Sequence, residues 1–186
     1  MEVIFMLKAE ELKLVSEWDK TFPKSEKVDH EKVTFVNRYG ITLAADLYKP
    51  KNASGKYPAI AVSGPFGAVK EQCSGLYAQT MAERGYLTIA FDPSFTGESG
   101  GYPRFMASPD INTEDFMAAV DFLSVREDVN PDKIGIIGIC GWGGMALNAA
   151  ALDTRIKATV ASTMYDMTRV NANGYFDSED SEEARY

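Results

Sequence analysis

From Pro58 onward, apolar and polar positions fall into alternating blocks of two kinds. Ala59-Ile-Ala-Val-Ser63 is a short continuous apolar run, the pattern of a strand buried on both faces. Residues 71–84 carry a helical period and stop at Gly85, a residue suited to the position just past a helix. A second buried strand follows at 86–91, then a glycine-rich loop at 92–101 and a helix over 113–125. Asn112 or Thr113 can cap that helix, and Glu114 and Asp115 suit its positive end. Asn130-Pro-Asp132 reads as a turn into a strand at 133–138. A helix at 143–152 and a strand at 156–161 complete the pattern. Strands and helices alternating over short connections predict a mostly parallel, doubly wound α/β sheet.

The two ends differ from this core. Residues 8–31 are polar and mixed in charge, with a possible helix over 10–18 broken at Phe22-Pro23. Asn37-Arg-Tyr-Gly40 is a turn signal between β-rich runs at 32–36 and 41–48, which adds an antiparallel hairpin at the N-terminal edge. The organisation expected is an N-terminal extension (1–31), an α/β core (32–170) and an acidic tail (171–186). That tail reads as a solvated end or as the start of a truncated cap or continuation.

Composition narrows the chemistry. The 186 residues carry 27 acids against 19 bases and have a net charge of −8. With no cluster of bases, a nucleic-acid partner and a polybasic membrane patch are excluded. No apolar run reaches the roughly 20 residues of a membrane span, and the N-terminus lacks the features of a signal peptide. Cys73 and Cys140 are too few and too far apart for a disulfide scaffold, which points to a reducing, cytoplasmic setting. One histidine and two isolated cysteines cannot assemble a metal site of the usual zinc spacing, and no cofactor is expected.

In a parallel sheet, ligands gather at the carboxyl ends of the strands. Three such ends here carry unusual residues: Gly64-Pro-Phe-Gly67, Asp92-Pro-Ser-Phe-Thr-Gly97-Glu-Ser-Gly-Gly101 and Gly138-Ile-Cys140-Gly-Trp-Gly-Gly144. The third has the pattern of a nucleophile elbow, a strand and helix joined by a tight turn with a nucleophile at its apex. A helix N-terminus favours a negatively charged sulfur, so Cys140 is the candidate nucleophile. The Gly141 amide opens the helix where an oxyanion would form, and Phe66 or Gly67 offers a second donor. Phe95, Tyr102, Phe105 and Met106 point to an apolar rim. Phe95 and Trp142 are the candidate pocket residues, although Trp142 could equally pack beneath the sheet edge. Asp92 either holds the loop backbone or touches substrate. Lys70 either touches substrate or opens a solvated helix.

On these three segments the chain resembles the α/β-hydrolase superfamily, and within it the bacterial dienelactone-hydrolase-like branch. The resemblance spans about residues 32–170. It implies a small-molecule acyl substrate (an ester, lactone or thioester) and a triad of nucleophile, acid and histidine in chain order. Asp166, at the end of the last strand, is the available acid, although the branch takes its acid one strand later and Asp166 reads more readily as a turn residue. No histidine follows Cys140, and His30, before the first expected strand, reads as a surface residue. Trp142 also stands where the family places a small residue. The sheet is therefore expected to be incomplete at its C-terminal edge, with the chain a fragment, a truncated product or a degenerate member, weak or inactive alone. Two other readings stand beside this one. A non-catalytic remnant would pair with another chain, or with its own copy, through an open edge. A nucleotide-binding module would use Gly141-Trp-Gly143-Gly-Met-Ala146 as a G-x-G-x-x-A turn.

Overall fold

The computed structural model describes residues 10–51, 55–179 and 181–183. Six strands form one sheet: β1 (Val28–Val36), β2 (Thr42–Pro50), β3 (Tyr57–Ser63), β4 (Leu87–Phe91), β5 (Val129–Ile139) and β6 (Ile156–Ser162). Their order is β1-β2-β4-β3-β5-β6. The hairpin β1–β2 is antiparallel and joins β4 antiparallel, while β4, β3, β5 and β6 run parallel to one another. The helices are α1 (Cys73–Ala82), α2 (Pro109–Ser124), α3 (Gly141–Leu152) and α4 (Met167–Asn173). The fold is α/β, as the alternation predicts.

Period-two alternation in the strands sends side chains into two cores. On β3, Ala59 and Ala61 face α2 and α3 together with Leu87, Ile89, Ile134 and Ile136. Ile60 and Val62 face α1 with Ala78, Ala82, Ile137 and Ile139. Phe22 belongs to the second core and Trp18 packs against it, so the segment before β1 closes that face.

Several boundaries differ from expectation. No helix forms over the described residues 10–18. Helix α2 starts at Pro109, capped by the Ser108 hydroxyl, which accepts from the Ile111 amide. Proline fits a first helical turn because its missing N–H would lack an intrahelical partner there. Asn130-Pro-Asp132 lies inside β5, at an irregularity where pairing jumps from Tyr57↔Val129 to Ala59↔Ile134. The start of the expected tail belongs to α4 and a short 3₁₀ turn, Tyr175–Asp177.

His30 is not a surface residue. Its Nε2 lies 2.7 Å from Asp46 Oδ1, and its ring packs against Trp18 and Tyr48. It sits on β1, at the far edge from the elbow. Four strand spacings separate β1 from β5, roughly 19 Å at the usual inter-strand distance.

Candidate active site

The junction of β5 and α3 is a sharp turn. Cys140 has φ 60° and ψ −130°, a left-handed backbone for a non-glycine residue. Such a conformation costs on the order of 1–3 kcal/mol, so the surroundings must hold it. They do: the Cys140 amide donates to the Ser162 carbonyl at 2.8 Å, and its own carbonyl accepts from the Gly143 amide at 2.9 Å. Close packing also demands the absence of side chains. A Cβ on Gly138 would lie 2.7 Å from Ala146 Cβ and strike the Trp142 carbonyl. A Cβ on Gly64 would lie 2.8 Å from Trp142 Cβ. The bare backbone at Gly64 is what lets a tryptophan occupy the position after Gly141. Trp142 turns down into the core, edge-on to Phe91 at 6.3 Å and tilted against Phe116 at 5.8 Å.

Of the residues expected to donate to an oxyanion, Phe66 and Gly141 are neighbours, whereas Gly67 lines a cleft that does not include Gly141. Gly141 lies against Phe66: a Cβ on the glycine would be 3.2 Å from Phe66 Cδ2. Among the described residues, the amides of Phe66, Gly67 and Gly141 donate to no protein acceptor. Cys140 is partly buried and packs against the α1-side core. Cys73, the first residue of α1, is also partly buried, and desolvation pushes its thiol pKa up.

The loop carrying Phe66 is pinned at its other end by buried charge. Lys70 is fully buried, contrary to both readings of it from sequence. Its amide and its Nζ both donate to Asp92, at 2.8 and 2.9 Å, and Nζ reaches Glu71 at 2.6 Å and Glu98 at 2.7 Å. Burial works against this ammonium, but Asp92 and the other two carboxylates outweigh it and hold its pKa above the usual lysine value. Asp92 also accepts from the Glu98 amide at 2.9 Å, so it holds both loops and acts on their backbone. Lys32 extends the network to Glu98 at 2.7 Å and Asp19 at 3.3 Å. Asp19, Glu71 and Glu98 bring carboxylate oxygens close enough for a cation, and the Lys32 ammonium already contacts all three. Nothing in a sequence marks these lysines, because lysine reads as solvated and, apart from Glu71 beside Lys70, their hydrogen-bonded partners lie 13 to 66 residues away.

Two clefts flank Phe66. The first, of about 360 Å³, runs from Gly141 along α3, past Gly144, Met145 and Asn148, under the segment Met164–Thr168. The second, of about 280 Å³, lies over the glycine-rich loop and is lined by Gly67, Ser94, Arg104, Phe105, Met106 and Trp142. Asp166 lies on the wall of the first. It caps α4, accepting from Thr168 Oγ1 at 2.6 Å and the Arg169 amide at 3.0 Å. These bonds hold its carboxyl below the usual range. Phe95 is buried, with φ 73°, beneath its own loop against Gly101, and it lines neither cleft. Phe105 and Met106 do form rim, and Tyr102 is exposed. The glycines of the G-x-G-x-x-A string are used for packing: a Cβ on Gly143 would lie 3.0 Å from Met164 Cβ.

A sharp strand-to-helix turn beside the Phe66 loop, at the carboxyl edge of a mostly parallel sheet, is the arrangement of the α/β-hydrolase fold. An acetyl xylan esterase from Thermoanaerobacterium shares the fold at a TM-score of 0.68, with 19% identity over 91% of this chain and 59% of that one. More narrowly, residues 39–184 match the family described as X-Pro dipeptidyl-peptidase (S15 family), and the chain belongs to it. It is 73% identical over 169 residues to the uncharacterized protein PA2218 of Pseudomonas aeruginosa, covering 90% of this chain and 46% of that protein. The crystal structure of PA2218 superposes with a TM-score of 0.92 at 71% identity, over 95% of this chain and 55% of the other. The thiohydrolase aneE of Aspergillus aculeatus is 32% identical over 137 residues, 74% of this chain and 42% of that protein. The chain spans about half the length of the curated relatives it matches. Among the described residues, no helix is long and apolar enough to cross a membrane.

Proposed function

We propose that this chain carries the nucleophile and oxyanion donors of an acyl-transfer hydrolase, with Cys140 attacking the carbonyl carbon of a thioester or activated ester. The observation that carries the reading is Cys140 held at φ 60° on a helix N-terminus, beside amides that have no protein acceptor. The Cys140 thiolate forms a bond to the carbonyl carbon, and the negative charge on oxygen is held by the Gly141 and Phe66 amides. The oxyanion then collapses, the thioester C–S bond breaks, and the thiol departs as thiolate with the bonding pair. Cys140 is left acylated.

Leaving-group chemistry favours thioesters over peptides for this chain. An amine must be protonated as it leaves, usually by an imidazole, and that step is worth about 10²–10⁴-fold. The only histidine of the sequence, His30, is held by Asp46 on β1. A thiolate needs no such proton. The same lack of a base slows hydrolysis of the acyl-enzyme, so turnover by these 186 residues alone is weak. The thiohydrolase relative supports the thioester assignment, and the cysteine elbow supports a dienelactone-hydrolase-like chemistry at the same site.

Mixing the chain with the hexanoyl thioester of N-acetylcysteamine tests this. Expected are a burst of one thiol per chain, one hexanoyl group on Cys140 by peptide mass mapping, and a steady phase at least about tenfold slower. Acylation of Cys73 to the same extent, or no adduct on Cys140, would refute the assignment.

A further inference from the structure

We infer that the cleft between Gly141 and the segment Met164–Thr168 is an acyl-chain subsite for neutral, flexible aliphatic groups, with Asp166 as the residue that rejects chains ending in a carboxylate. The inference deepens the acyl-transfer reading and rests on it for the word acyl. The cleft itself can be tested without it.

Three observations place the chain there. First, the cleft opens at Gly141, whose free amide would hold the carbonyl oxygen, so a tail attached to that carbon enters at this mouth. Second, its walls are apolar and soft. Met145, Met164 and Met167 approach from two elements, α3 and the chain after β6, and Phe66 closes the side. Unbranched thioethers adapt to a flexible chain better than branched side chains do. At about 360 Å³ the cleft falls in the range of small-ligand pockets. The second cleft, with Ser94, Arg104 and Asn112 on its walls as Asn148, Thr168 and Asn171 are on those of the first, does not include Gly141, and it suits the leaving thiol. Third, among the described residues, the only formally charged side chain on the wall of the first cleft is Asp166. Its carboxylate stays ionised near neutral pH because Thr168 and the Arg169 amide donate to it. Arg169 is paired with Asp177 at 2.8 Å, and its charge acts on Asp166 less than the hydrogen bonds do. An anionic chain end would therefore meet a fixed negative charge, while a neutral one meets methionines.

Methyl-¹³C methionine labelling of the whole chain, titrated with hexanamide and with its ω-carboxylate analogue adipamate, reads this directly. Hexanamide is expected to shift the methyl resonances of Met145, Met164 and Met167. Adipamate, of the same length, should bind about fivefold more weakly, the penalty of one like charge about 4 Å away in water. In Asp166→Asn, which retains a side chain able to cap α4, the two ligands should bind alike. The subsite is overturned if hexanamide leaves those three methyls unmoved. The role of Asp166 is overturned if the wild-type chain binds both ligands equally or if the variant keeps the difference. Failure of the nucleophile reading looks different: the methyls shift with hexanamide while Cys140 takes no acyl group from the thioester. Acylation of Cys140 with silent methyls would instead leave the nucleophile and remove the subsite.

Discussion

The elbow and the charge network below it solve opposite problems within one sheet edge. At the elbow, Cys140 sits in a strained backbone and the neighbouring amides have no protein acceptor. At the network, Lys70 has three carboxylate partners, and Asp92 accepts three hydrogen bonds through its two oxygens. Donors without acceptors are costly in a core and useful where a substrate oxygen will complete them. The paired charges hold the loops that present those donors. The network holds the loop that carries Phe66, while the strained Cys140 backbone is held by its own bonds to Ser162 and Gly143.

The largest test of this contrast is Lys70→Met. It leaves Asp92 buried without its counter-charge, and urea denaturation should show a loss of about 3–5 kcal/mol. Adding Asp92→Asn should restore part of that loss, since the uncompensated charge is then gone. A loss under about 1 kcal/mol for Lys70→Met would place the network outside the supports of the site. The opposite sign is expected at the elbow. Cys140→Gly relieves the positive φ and should be more stable than Cys140→Ala by about 1 kcal/mol in the same assay, although neither can be acylated. Equal stability of the two variants would show that the elbow stores no strain.

The smallest effect lies in pH dependence. Burial alone would raise the Glu98 pKa, but hydrogen bonds from Lys32 and Lys70 leave it below the ordinary value. A carboxyl lowered in the folded state adds stability that is present above its unfolded pKa. That stability is lost as pH falls through the folded value. Glu98→Gln should therefore lose less stability than the parent between pH 7 and about pH 3, by on the order of 1 kcal/mol. Parallel pH profiles for the two proteins would remove Glu98 from the network.

What the sequence made legible was local or periodic. The apolar run of β3, the glycine closing α1 and the strand–Cys–helix turn each carry their signal within a few residues. The helix expected over 10–18 fails because Trp18 and Phe22 are drawn onto the α1-side core, edge-on to each other at 5.7 Å. Asn130-Pro-Asp132 looks like a turn and is one in miniature, absorbed as an irregularity while β5 continues pairing with β3. Among the expected site residues, Phe66 and Gly141 are neighbours because strand ends dictate where loops meet. Phe95 is not on the pocket wall, because its positive φ turns the ring under the loop, and no neighbouring residue type announces that. Lys70 and His30 were least legible. Lys70 is buried, and His30 partly so, against partners 22 and 16 residues away, and the chemistry of lysine and histidine alone favours water.

The clamp on Asp92 also bears on lifetime. Its ion pairs close sequence loops of 22 and 28 residues through Lys70, and Lys32 to Glu98 closes one of 66. The entropy of closing such loops must be met before any of these bonds can form. Interactions completed after the folding barrier slow escape from the native state without hastening its formation. On the acyl-transfer reading, these pairs are therefore expected to set how long the Phe66 loop stays closed, through residues set back from the proposed site.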